Sequence, residues 1–148
     1  MALLDTAMSA LHVLFAGLWT GSVLFFALTA LPAASEGDAR PAALRLARDR
    51  LRTVSRTSAV VLLLTGGYMS TAYESDAFLT TTAGRLVLAM VVLWFLLAAL
   101  VEVGASRMDD GLEADKVRTP ARESRQTFRA AAAVAVLLLL VGGALAAY

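Results

Sequence analysis

His12 is the only histidine in this 148-residue chain, and there is no cysteine. Those two counts remove disulfides, thiolate metal centres, iron–sulfur clusters and a cysteine nucleophile. They also leave too few nitrogen ligands for a zinc hydrolase or a serine-protease triad. His12 stands inside an apolar run, where an ionisable side chain is costly and normally faces a bundle interior or a cavity. Met8 precedes it by one turn, and Phe15, Ala16 and Trp19 follow on the same helical face. At helical rise, Met8 lies roughly 6 Å and His12 roughly 12 Å from the outer end of that run, and Met69 and Met90, in two other runs, lie within roughly 6 to 9 Å of the same surface. An imidazole with thioethers is the donor set that soft, monovalent copper prefers, so His12, Met8, Met69 and Met90 form one candidate metal site. Haem b is a second reading. His12 would then be an axial ligand, paired with a methionine such as Met90 or with a second His12 across a dimer, and Phe15, Trp19, Tyr68 and Trp94 would supply apolar walls. A third reading has no ligand, since methionines fill gaps in cores and a histidine can simply hydrogen-bond a neighbouring helix.

The elements that must position these residues are membrane helices. Hydrophobic residues make up 59% of the sequence and charged ones 17%, a balance that points to lipid. Four runs near residues 6–31, 57–73, 85–105 and 130–147 have the length needed to cross a hydrocarbon core of about 30 Å. The expected fold is therefore all-α, a single four-helix transmembrane domain over residues 1–148. The opening Met-Ala-Leu-Leu-Asp lacks the basic start of a signal peptide, so the first run is expected to be a retained helix. It is expected to stop at Pro32, and Tyr73-Glu74-Ser75-Asp76 with Thr80 to Thr82 is expected to form the turn between the second and third runs.

Charge sets the orientation. Of 13 basic residues, all but Arg85 fall at Arg40, Arg45, Arg48, Arg50, Arg52 and Arg56, or at Arg107, Lys116, Arg118, Arg122, Arg125 and Arg129. The positive-inside rule puts loops 32–56 and 106–129 in the cytoplasm and both termini outside, in a cytoplasmic membrane crossed several times. The first loop has helical spacing of its own, with Asp38 as a cap and Pro41 in a first turn. It is expected to lie on the membrane surface or to extend the second helix, its arginines drawn to anionic headgroups rather than to nucleic acid. Glu102, near the inner end of the third run, is expected to pair with a cation at its level, Arg56 or Arg129. No run carries a carboxylate or lysine at its centre, which argues against a carboxylate-based pump, and no catalytic constellation is visible. Gly17-Leu18-Trp19-Thr20-Gly21 is a Gly-x-x-x-Gly packing face, within the chain or across a homodimer, and Gly66-Gly67 and Gly142-Gly143 would allow close helix approach or make room for a cofactor. Leu11 to Trp19 parallels Leu86 to Trp94, and Val60 to Gly67 parallels Val136 to Gly143, a pattern of two similarly oriented hairpins.

Three segments, Leu11-His12-Val13-Leu14-Phe15-Ala16-Gly17-Leu18-Trp19-Thr20-Gly21, Leu64-Thr65-Gly66-Gly67 and Phe78-Leu79-Thr80-Thr81-Thr82-Ala83-Gly84-Arg85-Leu86-Val87-Leu88, taken in this order, resemble the membrane domain of the copper resistance protein D family. That resemblance implies a four-helix membrane core associated with moving copper across the cytoplasmic membrane, often with a periplasmic copper-binding partner. The family commonly has a lysine after the Gly-Arg-Leu stretch, where this chain has Met90. The first helix is also similar to HemJ-type protoporphyrinogen oxidases, whose corresponding histidine ligates haem. Their helix-three lysine is absent as well, so this second resemblance implies haem binding by His12 more than oxidase activity.

Overall fold

The computed structural model describes residues 2–71 and 77–147, so Tyr73, Glu74, Ser75, Asp76 and Tyr148 lie outside the described residues. The described residues are almost wholly helical and include no strand. The order is α1 (Ala2–Phe25), a π turn (Phe26–Ala30), α2 (Leu31–Glu36), α3 (Pro41–Ser70), α4 (Ala77–Thr80), α5 (Thr82–Ser106), α6 (Asp109–Glu113) and α7 (Arg118–Leu145).

The expected stop at Pro32 does not occur. Pro32 has no N–H to give the carbonyl one turn back, and the chain widens just before it, with the Leu31 N–H reaching the Phe26 carbonyl in the longer π pattern. The helix then continues through Pro32 to Glu36. It ends at Gly37, whose φ of 93° is left-handed and whose amide, with that of Asp38, bonds back to Ala33. The left-handed φ is what favours glycine here, since the group a Cβ would meet is the movable end of the Arg118 side chain.

Asp38 is not the cap of the next helix. Arg40 holds the extended cap position without a side-chain bond, and Pro41 occupies the first turn as expected. The arginine-rich loop and the second apolar run form one continuous 30-residue helix, α3. The third run begins at Thr82 rather than 85, with the Thr81 hydroxyl accepting from the Gly84 amide at 3.0 Å. The fourth begins twelve residues earlier than its apolar stretch, at Arg118.

Three helical stretches, Ala2–Glu36, Thr82–Glu113 and Arg118–Leu145, are long and apolar enough to cross a membrane, which makes this an all-α, multi-pass membrane protein. α3 is not among the three, because arginines at 45, 48, 50, 52 and 56 leave only its second half apolar. Each long helix packs chiefly on its hairpin partner, α1 on α3 and α5 on α7.

The packed core sits toward the end of the bundle where the basic loops are. Trp19, Val23, Leu31, Leu44, Leu97, Val101, Met108, Leu112 and Phe128 are fully buried or nearly so, while Leu14, Leu64, Val92 and Leu140 toward the other end are exposed. Gly104 lets α5 approach α7 closely enough that a Cβ there would be 2.8 Å from the Phe128 ring, and Phe128 in turn packs on Phe26 at 4.7 Å between ring centroids.

Four arginines on one face of α3 run down this end against acidic residues of α5 and the α6 region. Arg56 grips Glu102 with two bonds of 2.7 and 2.9 Å. Arg52 reaches Glu102 at 3.2 Å and Asp109 at 3.6 Å, Arg48 pairs with Asp109, and Arg45 with Asp115. The partners of Glu102 are thus Arg56 and Arg52, and not Arg129, which is exposed on α7. The expectation that these arginines address lipid headgroups is corrected for the four of them, since their spacing along α3 aims them at the neighbouring helices.

Candidate functional site

His12 points from α1 at α3. Its Nδ1 lies 2.8 Å from the Thr65 Oγ1, and that hydroxyl also lies 2.8 Å from the carbonyl oxygen of Val61 one turn back on α3. A hydroxyl has one proton, and two oxygens at that separation need it between them, so Thr65 donates to Val61. The imidazole must then donate from Nδ1, which leaves the lone pair on Nε2. Gly66 shapes the other side of the ring, because a Cβ there would be 3.2 Å from His12 Cε1. The space that Gly66 provides is taken by His12 itself rather than by a tight helix crossing.

The end of the same interface away from the basic segments is closed by Tyr68, whose hydroxyl donates to Asp5 Oδ1 at 2.8 Å. Met8 is partly buried one turn before His12. Met69 is 39% exposed near the end of α3. Met90 is partly buried on α5, its methyl 3.9 Å from where a Gly142 Cβ would stand on α7. The neighbours that the structure gives His12 are thus Thr65 and Gly66, with Met90 directed toward α7. Among the described residues, no group of three or more histidine, aspartate and glutamate side chains is arranged to hold a metal ion.

Two turns further along the His12 face, Trp19 is wholly buried, and among the described residues its indole N–H has no hydrogen-bond partner. With His12 opposite Thr65, the antiparallel pairing of α1 and α3 places Trp19 level with Ser58, whose hydroxyl is also buried without a partner. Trp94 is anchored differently, its Nε1 donating to the Ala59 carbonyl at 3.2 Å and its ring edge-on to Phe95. Phe15 packs partly buried against the core.

The pairing of Thr65 with His12 is what sequence reasoning did not single out, although Thr65 stands in one of the segments that carry the resemblance. Its residue type is common in membrane helices, but it falls seven residues after Ser58 and ten after Ser55, on one hydroxyl-bearing face of α3. The buried states of Ser55, Ser58 and Thr65 follow that spacing. The Gly17 and Gly21 face has the opposite outcome. A Cβ at either position meets nothing within 4 Å, so it makes no helix contact within the chain.

No curated protein and no solved structure matches the chain. A family model does, that of copper resistance protein D, over residues 45–147, from the first turns of α3 to just past the end of α7. The match leaves out α1 and with it His12, and nothing in it bears on the similarity to HemJ-type oxidases. Covering well over half of the sequence, it identifies this multi-pass membrane protein as a member of the copper resistance protein D family.

Proposed function

We propose that the protein handles monovalent copper within the membrane, with His12 Nε2 as the nitrogen ligand and the thioethers of Met8, Met69 and Met90 as the sulfur donors nearest to it in depth. The observation that carries this reading is the Thr65 bond. A hydroxyl that fixes the imidazole proton on Nδ1 does for His12 what outer partners do for metal-ligating histidines, setting the tautomer and holding the ring. Membership of a copper resistance family supports copper as the cargo, and the absence of cysteine leaves imidazole and thioether as the soft donors in the chain. A site on two or three helices with few ligands suits a cargo that must leave again. The cation is here the substrate, accepted in this reading from a copper-binding protein on the outer side.

The test is a copper(I) titration of the detergent-purified protein against a competing chelator, with an absorption spectrum of the same sample. Binding by the wild type that is lost in His12→Ala, with the helical circular dichroism retained, supports the proposal. A Soret band that disappears in His12→Ala assigns the histidine to haem instead. Copper binding that His12→Ala leaves unchanged removes His12 from the site.

A further inference from the structure

The face of α1 that carries Gly17 and Gly21 opens into a groove of about 450 Å³ between α1 and α3. Its walls are apolar, with Leu18, Phe25 and Val54 along the sides and the two glycines at positions where a Cβ would touch nothing. One cation lines it, Arg50. The arginines around Arg50 in sequence, at 45, 48, 52 and 56, are held by Asp115, Asp109 and Glu102 on the other side of α3. Arg50 projects away from that ladder. It is exposed, and among the described residues it forms no ion pair.

Depth says what such a groove fits. With His12 opposite Thr65, Arg50 falls about level with Ala27, ten residues beyond Gly17 and so roughly 15 Å along the helix. That is about half of a 30 Å hydrocarbon core, the thickness of one leaflet. At the same level Phe25 and Leu28 are 64% and 67% exposed, as for side chains that face lipid near a headgroup boundary. An apolar channel one leaflet long with a free guanidinium at its basic-loop end is complementary to a lipid acyl chain under a negative headgroup.

We infer that this groove is a binding site for an anionic phospholipid of the leaflet on the basic-loop side, with an acyl chain lying over Gly17 and Gly21 and the phosphate on Arg50. A second copy of the chain fits the observations less well. A twofold contact through this face about the membrane normal puts each residue at the same depth as its equivalent and would set the two Arg50 side chains at one level of the interface, like charges at a low-dielectric boundary. The site is separate from His12, which faces the Thr65 side of the α1–α3 interface.

The experiment is native mass spectrometry of the protein released from nanodiscs of mixed phosphatidylglycerol and phosphatidylcholine. The wild type is expected to keep a phosphatidylglycerol adduct. Arg50→Gln lowers that adduct about fivefold, the equivalent of one arginine's attraction to an anionic lipid, and Gly21→Leu, which fills the groove, removes it. Arg125→Gln, at a similar level on α7, leaves it unchanged. The inference is overturned if Arg50→Gln retains the wild-type adduct, if phosphatidylcholine is retained as well as phosphatidylglycerol, or if the wild type is released as a dimer that Gly21→Leu makes monomeric. Circular dichroism melts of all variants establish that each is folded, and a Gly21→Leu that is unfolded leaves Arg50→Gln, at an exposed position, to decide.

Discussion

The His12–Thr65 pair makes the proposed copper chemistry depend on a residue that would not itself touch the metal. Thr65→Val keeps the shape and removes the hydroxyl, so the imidazole loses the acceptor that holds its proton on Nδ1. Copper(I) affinity is expected to fall about 10- to 100-fold, the usual cost of losing an outer partner of a ligating histidine, and Thr65→Ser, which keeps the oxygen, is expected to restore most of it. Equal affinities in the valine and serine variants would show that the bond orients nothing of consequence. His12 was legible from sequence because an ionisable group in an apolar run stands out. Thr65 was not, because a threonine in a membrane helix satisfies itself on the carbonyl one turn back, as Thr65 does on Val61, and nothing in its neighbours says that a second helix presents a histidine to it.

Between elements, close approach and charge pairing do different amounts of work, and two pairs of substitutions separate them. A methyl at Gly104 would stand 2.8 Å from a Phe128 ring already packed on Phe26, with no flexible side chain to give way. Gly104→Ala is expected to cost about 1–3 kcal/mol as overpacking, whereas Gly67→Ala, where a Cβ meets nothing within 4 Å, stays within about 1 kcal/mol of wild type. Unfolding in detergent followed by circular dichroism reads both, and equal melts would mean that α5 and α7 are not pressed together at this point. In the arginine ladder, the Arg48 side chain is only 11% exposed beside Asp109, while Arg45 and Asp115 are far more open. Asp109→Asn is accordingly expected to cost about 1–3 kcal/mol, and Asp115→Asn under about 1 kcal/mol, a ranking that the same melts check. The all-helical, multi-pass character and Arg56 as one of two partners expected for Glu102 were readable from sequence, because apolar length and level along a helix suffice for them. The remaining rungs were not, since Asp109 and Asp115 sit after α5 in a connection whose path is decided by the packing of Met108, Leu112 and Pro120. The passage of the first helix through Pro32 was hidden for a related reason. The π turn that accommodates it has no signature of its own, and proline most often ends a helix.

For the molecule as a whole, the quantity that decides what the His12 site can do is the side of the membrane on which it opens. Arginine and lysine are concentrated at one end of the bundle, in the starts of α3 and α7 and the segment between α5 and α7, and the well-packed core is at that same end. Translocating it would carry twelve cations and a folded base across the bilayer, against the retention of basic segments in the cytoplasm. The protein is therefore expected to place Ala2 and Ala147 outside and Lys116 inside, with His12 about 10 Å from the outer end defined by the Asp5–Tyr68 bond. The chain has no cysteine, so single cysteines introduced at these three exposed positions report without background. A membrane-impermeant maleimide applied to intact spheroplasts is expected to label cysteine at positions 2 and 147, and to label position 116 only after the membrane is opened. The reverse pattern would turn the His12 end toward the cytoplasm, making copper release there, rather than capture outside, the step in which His12 takes part. Labelling of 2 and 116 from the same side would mean that one of the helices between them fails to cross the bilayer, with α3 the first suspect because Ala2–Glu36 and Thr82–Glu113 are long and apolar enough to do so, and the four-span topology would fail with it.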